Sequence, residues 1–323
     1  MQTLKPPKLN KGDTVGIVAP SLPIFPSFRK NYEIGKQELI KMGFKIKEGK
    51  NINKVRWWAG GAPKEQAEDI NSMFADSEVK AIIAQTGGHS AISVLEHINF
   101  DLIKSNPKPF IGMSDITTYH IAFFAKTGLV GLHMDDITYG MGWNWQNFMT
   151  HKNYVSQLFF NVLTNNKPLG NIKPLSTWEN WREGKAEGML IGGNLHLINT
   201  LIGTPYFPPL ETFNGTIFYW EEEAITMYNI ARALYQLKYL GVFEKISGMA
   251  VGKITHLKKP SQEEIKEPTA KELVLDILKE YNSPILANMD FGHYTVNIPM
   301  PVGIKASLDT FNKTFDIIES AVT

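Results

Sequence analysis

The segment Val79-Lys-Ala-Ile-Ile-Ala84 runs into Gln85-Thr-Gly-Gly-His89, and a second such unit follows at Pro109-Phe-Ile-Gly112, Met113-Ser-Asp115 and a helical stretch over 116–126. Each unit is an apolar, β-rich run, a turn of small residues, and then helical spacing. Strands covered on both faces carry such unbroken apolar runs, so the reading is a parallel, helix-covered sheet. Working outward toward the N-terminus, Thr14-Val-Gly-Ile-Val-Ala19 is another strand. Apolar residues recur at helical spacing over 28–42 (Tyr32, Ile34, Leu39, Ile40) and stop at Gly43. Residues 44–47 alternate as a strand, and 63–74 form a helix with a proline near its start. Toward the C-terminus, 140–145 is rich in glycine and aromatics, 151–163 reads as a connecting helix, and 165–174 has the Asn, Pro and Gly content of a linker. The second half alternates strands (189–191, 216–220, 249–254, 284–287) with helices (225–240, 270–281). The expected architecture is an N-terminal doubly wound, mostly parallel α/β domain over 1–165 with helices on both faces. A smaller C-terminal α/β domain with a β-rich core covers 166–323, joined by a linker at about 164–182.

Composition narrows the function. The 323 residues suggest about two domains. With 43% hydrophobic and 20% charged residues, there is enough apolar material for packed cores. Lys and Arg (33) balance Asp and Glu (32), so no basic field exists to drive nucleic-acid binding, and no nucleic-acid partner is expected. The absence of cysteine excludes disulfides, thiolate zinc sites and a cysteine nucleophile. No apolar run reaches the ~18–20 residues of a membrane helix, and residues 1–11 have no apolar targeting core. A cytoplasmic protein without a membrane partner is the expectation.

Three segments carry chemistry. In Phe110-Ile-Gly-Met-Ser-Asp115 a strand ends two residues before Ser114 and a helix begins near Asp115. That is the logic of a nucleophile elbow, with the Asp115 N–H able to stabilise an oxyanion; Ser114 and Asp115 also read simply as helix N-caps. The glycines Gly87 and Gly88 sit at the C-terminal end of a strand, where parallel sheets bind ligands and where a second oxyanion donor could lie. An ordinary βα turn reads equally well there. Near the C-terminus, Phe291-Gly-His293 offers an imidazole, but histidines 89, 97, 120, 133, 151, 196 and 256 compete for a base role, and His89 lies in the glycine loop itself. After the apolar run Ile217-Phe-Tyr-Trp220 come Glu221, Glu222 and Glu223. Three acids there read as a solvated strand end, or the first orients an imidazole. No HExxH-type spacing occurs, so no metal is expected.

Taken in order along the chain, these segments resemble the LD-carboxypeptidase family of serine peptidases. The resemblance is carried by 11–21 (KGDTVGIVAPS), Gly87-Gly88, 106–117 (NPKPFIGMSDIT), Gly192-Gly-Asn-Leu195, Gly203-Thr204 and Gly292-His293. It implies a Ser–Glu–His triad of Ser114, Glu221 and His293, with Glu222 the alternative acid. It further implies an oxyanion hole from Asp115 and Gly88 or Gly87, an acyl-enzyme mechanism, no cofactor, and a homodimer. Ser176-Thr-Trp-Glu-Asn-Trp181 and Gly203-Thr-Pro-Tyr-Phe-Pro208 lean toward the microcin-immunity branch. The implied substrate is then a peptidyl-nucleotide of the microcin C type, against a murein tetrapeptide in the main branch. A catalytically idle peptide- or nucleotide-binding protein on the same fold is the third reading. Substrate contacts are expected from His89, Trp178 or Trp181, Asn194 and Arg232. Departures from the family pattern are His89-Ser90 after the glycines, Asn229 where Arg is frequent after Tyr228, and Gln66 where Arg is common in the early helix.

Overall fold

The computed structural model describes residues 2–260 and 264–323. Its strands are β1 (Thr14–Val18), β2 (Lys45–Glu48), β3 (Val79–Ala84), β4 (Phe110–Gly112), β5 (Gly131–His133), β6 (Gly170–Asn171) and β7 (Glu179–Arg182). They continue with β8 (Lys185–Asn194), β9 (Ile217–Glu223), β10 (Gly248–Thr255), β11 (Ile285–Ala287), β12 (Met300–Val302), β13 (Lys305–Asp309) and β14 (Thr314–Ile317). The first sheet has the order β12-β5-β4-β3-β1-β2, parallel from β5 to β2. The unbroken apolar runs have the expected cause: β4 is buried throughout, and β3 is buried at every position but Lys80. The second sheet runs β6-β14-β13-β8-β9-β10-β11-β7, with a parallel centre from β8 to β11 and antiparallel flanks. The molecule is therefore an α/β protein, as expected, with a parallel sheet flanked by helices and a second mixed sheet. Among the described residues, no helix is long and apolar enough to cross a membrane.

Three features depart from the sequence reading. The stretch expected as a linker is tied down: β6 pairs with β14, and β7 closes the far edge of the second sheet on β11. The expected boundary is also crossed, because β12 returns from the C-terminal half to pair antiparallel with β5. The hairpin β13–β14 and the full length of β8 are not apparent from periodicity, since the pairing of β13 with β8 joins residues more than a hundred positions apart.

Behind the first sheet's C-terminal ends lies a π-helical segment, Ile137–Asn144, packed on the helix Arg29–Lys41. Gly35 permits this contact; a Cβ there would run into the carbonyl of Ile137. Gly35→Ala is expected to destabilise the fold by about 1–3 kcal/mol through overpacking, read as a lower melting temperature. An unchanged melt would show that the two segments separate easily.

Candidate active site

Ser114 follows β4 in a short 3-10 turn, Ser114–Ile116, that feeds the helix Thr117–Thr127. Its φ of +60° places a non-glycine residue in the left-handed region, a strained conformation that thrusts the hydroxyl out of the turn. Neither helical segment here begins with a side-chain cap, so the capping interpretation of Ser114 and Asp115 does not hold. The Asp115 carboxylate instead reaches across to the neighbouring loop. It accepts from Ser21 Oγ at 2.5 Å and from the backbone N–H groups of Ser90 and Ala91 at 2.8 and 2.9 Å. Gln66 stabilises the same corner from below, its amide donating to the carbonyls of Ala19 and Ser21.

The clamped loop holds Gly88 at φ +150°, where a Cβ would press on Leu22. Gly87 packs directly against Ser114, and its carbonyl accepts from Leu22 N–H at 3.0 Å. The N–H groups of Gly88 and Asp115 have no acceptor among the described residues. They are therefore available to an oxygen developing charge beside Ser114.

From the other sheet, β9 delivers Glu221 and the loop after β11 delivers His293. His293 Nδ1 lies 2.7 Å from Glu221 Oε2, and both side chains are buried. Asn194, at the end of β8, donates its amide to Glu221 at 3.2 Å and to Glu222 at 2.9 Å. Glu222 also accepts from the N–H of His196 at 2.9 Å. Glu222 is thus turned away from the imidazole, and the choice between the two acids falls on Glu221. Glu223 approaches His293 Nε2 at 3.7 Å.

Burial works against a charged imidazole at 293. The Glu221 carboxylate, aided by Glu223 and Glu222, overrides it and pushes the His293 pKa up to about 9. Burial likewise raises Glu221, but the His293 imidazolium wins and holds the carboxyl below its ordinary range. Glu222 is raised to about 7 by burial and by the charge of Glu221. Burial drives His120 and His133 down to about 3 and 4, so neither is a base in contact with solvent. Of the eight histidines, His293 is the one whose ring bonds a buried carboxylate among the described residues.

Ser114 and His293 line one cavity of about 400 Å³. No hydrogen bond joins them among the described residues; such contacts often tighten only with substrate bound. Its walls include Phe28, Tyr139, Trp143 and Tyr294, with Asp136 and Glu223 as acids. Tyr139 and Trp143 stack at 5.3 Å, and Tyr294 meets both edge-on. A second hollow of about 360 Å³ opens from the same Ser114. Among the described residues no cluster of three His, Asp or Glu side chains has the arrangement to hold a metal.

The expected substrate contacts are sorted by this geometry. His89 lines both hollows. Asn194 lines the second, although its amide is committed to the two glutamates. Trp178 does not face the site: it is 1% exposed and donates its indole N–H to Asp290 at 2.8 Å. Trp181 bonds Glu179 at 2.7 Å and lines neither hollow. Arg232 lines neither hollow; it borders an adjoining groove that shares His196 and Asn229 with the second. The aromatic wall at 139–143 is what the sequence left unassigned. The glycine and aromatic richness there is a signal, but only the docking of this segment on the helix Arg29–Lys41 turns it toward Ser114.

Residues 15–134 match the LD-carboxypeptidase N-terminal domain, and residues 187–308 match the LD-carboxypeptidase C-terminal domain. The chain is 33% identical to a probable murein peptide carboxypeptidase of Bacillus subtilis (strain 168), covering 99% of this chain and 95% of the relative. It is 28% identical to the microcin C7 self-immunity protein MccF of Escherichia coli, over 95% and 94% of the two chains. The structure of MccF in complex with glutamyl sulfamoyl guanosine superimposes with a TM-score of 0.88 at 25% identity, covering 99% of this chain and 100% of the other.

The raised pKa of His293 and the lowered one of Glu221 define a window for the pair. The histidine's contribution to stability is full below its unfolded value of 6.5 and fades as pH climbs through about 9. The glutamate's is present above its unfolded value of 4.5 and is lost as pH falls through the folded value. Titration of the His293 ring by NMR should show a midpoint well above 6.5 that falls in Glu221→Gln. An unmoved midpoint would mean that the pair is not coupled.

Proposed function

The chain belongs to the LD-carboxypeptidase family and is a serine-type carboxypeptidase; on that premise we propose that Ser114, His293 and Glu221 form its catalytic triad and cleave the C-terminal amide of a short peptide. The observation that supports this most directly is the buried 2.7 Å contact between His293 and Glu221 in the cavity that also holds the strained Ser114. In this reading Ser114 Oγ attacks the amide carbon while His293 Nε2 takes its proton. Glu221 holds the other ring nitrogen and stabilises the imidazolium. The N–H groups of Asp115 and Gly88 receive the oxyanion. The C–N bond breaks as His293 returns the proton to the leaving amine. Water then attacks the acyl-enzyme, with His293 again as base, to release the shortened peptide as a carboxylate.

The aromatic wall of Tyr139 and Trp143 favours a substrate carrying a planar ring, as a peptidyl-nucleotide of the microcin C type does. The full-length likeness to a murein peptide carboxypeptidase supports the second reading, a murein tetrapeptide. A cytoplasmic homodimer is part of this proposal, on the resemblance to the family alone.

Ser114→Ala should lower kcat by about 10⁶-fold and Glu221→Gln by about 10⁴-fold, with a fluorophosphonate probe labelling the wild type but not Ser114→Ala. Because His293 must be neutral to accept a proton, kcat/KM should climb between pH 7 and 9. Mass spectrometry of a murein tetrapeptide and of a peptidyl aminoacyl-sulfamoyl adenosine, each incubated with the enzyme, separates the two substrates. Full activity in Ser114→Ala would end the triad reading.

A further inference from the structure

Two hollows meet at Ser114, and their charges differ. The aromatic cavity holds the acids Asp136 and Glu223 and is bordered by no lysine or arginine among the described residues. The second hollow shares Gly88, His89, Ser114 and Glu223 with it but continues to His196, Asn229 and Lys258. Lys258 is the one lysine or arginine among the described residues that borders either space.

The position of Lys258 is built by the fold. Beyond β9 and β10 the two chain segments run on side by side, joined by Ala224 N–H to the Thr255 carbonyl at 3.1 Å and by Lys258 N–H to the Ile225 carbonyl at 2.9 Å. Thr226 and Lys258 form an isolated parallel bridge. Two residues earlier, His256 packs its ring on Tyr294 at 4.0 Å, next to His293. The Lys258 loop is therefore tied both to the acidic strand end and to the loop bearing the imidazole. Lys258 itself forms no ion pair among the described residues. The two acids of this hollow are engaged elsewhere: Glu222 with Asn194 and His196, and Glu223 toward His293.

A murein tetrapeptide, the second of the two substrates above, carries a carboxylate within a few bonds of the scissile nitrogen when it is cut at its terminal amide. That anion must enter one of the two spaces beside Ser114. In the aromatic cavity it would meet two acids and, among the described residues, no cation but the His293 imidazolium already held by Glu221, whereas Lys258 offers a compact ammonium outside any ion pair in the other. We propose that Lys258 is a specificity-determining residue that binds the free terminal carboxylate of the substrate in the hollow between β9, β10 and the glycine loop. This rests on the carboxypeptidase reading and adds to it the direction in which the substrate lies.

The test uses two murein tetrapeptides that differ only in ending as D-alanine acid or D-alanine carboxamide. Their binding is measured by calorimetry on Ser114→Ala, so that hydrolysis is not required. The acid should bind at least ten-fold more tightly than the amide. In Ser114→Ala/Lys258→Met the gap should close through loss on the acid alone, and Lys258→Arg should restore most of it. Arg232→Gln, at a residue that lines neither hollow, should leave the gap intact. A gap that persists without Lys258, a loss equal for both peptides, or no preference at the outset overturns the assignment. Cleavage of the acid peptide by the chain with Ser114 intact is followed in parallel. A Lys258-dependent preference without cleavage would retain the subsite and reject the hydrolase reading.

Discussion

A carboxylate buried at the end of one strand and an imidazole buried on the loop of another set the terms for this molecule. Placing Glu221 out of water is costly unless its charge is met, and His293 meets it at 2.7 Å. The bond in turn fixes which ring nitrogen remains to face the cavity. The surroundings serve the same constraint: Asn194 bridges Glu221 to Glu222, and β8 lies beside β9 so that the amide can reach both acids. Glu222 and His293 compete for no common partner, which keeps Glu221 coupled to the histidine.

The serine arrives independently from the other sheet. Its left-handed backbone is held by the Asp115 carboxylate, which gathers the Ser21 hydroxyl and the Ser90 and Ala91 amides into one corner. Two rigid supports thus face each other. One is a strained turn on a parallel sheet, and the other a hydrogen-bonded chain of acids on a mixed sheet. The absence of a direct Ser114–His293 hydrogen bond among the described residues fits such an arrangement. Such a contact can tighten by small adjustments when the cavity is occupied. The strand β12 couples the two supports, since it leaves the second half of the chain to pair with β5.

Much of this was legible in the residues. The apolar runs of β3 and β4 announce buried parallel strands, and the small residues after each of them announce turns at the end of a sheet where ligands bind. The ordered resemblance implies Ser114, His293 and Glu221, with Glu222 as the alternative acid. The tryptophans of 176–181 were misleading for a simple reason: an indole stabilises a core as readily as it stacks on a ligand. The partner that decides for Trp178 is Asp290, a residue 112 positions away. Helical spacing likewise gives the face of Arg232 on its helix but not which groove that face borders.

By itself the sequence determined the alternation of strands and helices, the exclusion of thiol chemistry, and the residue types able to act as nucleophile, base and oxyanion donors. These follow from local periodicity, composition and short motifs. The tertiary structure alone decided that Glu221 and not Glu222 meets the imidazole, that Tyr139 and Trp143 wall the cavity, and that Lys258 lines the same hollow as Ser114. Each of those outcomes depends on the relative placement of segments far apart in the chain. Strand register and packing fix that placement, and no window of neighbouring residues encodes it.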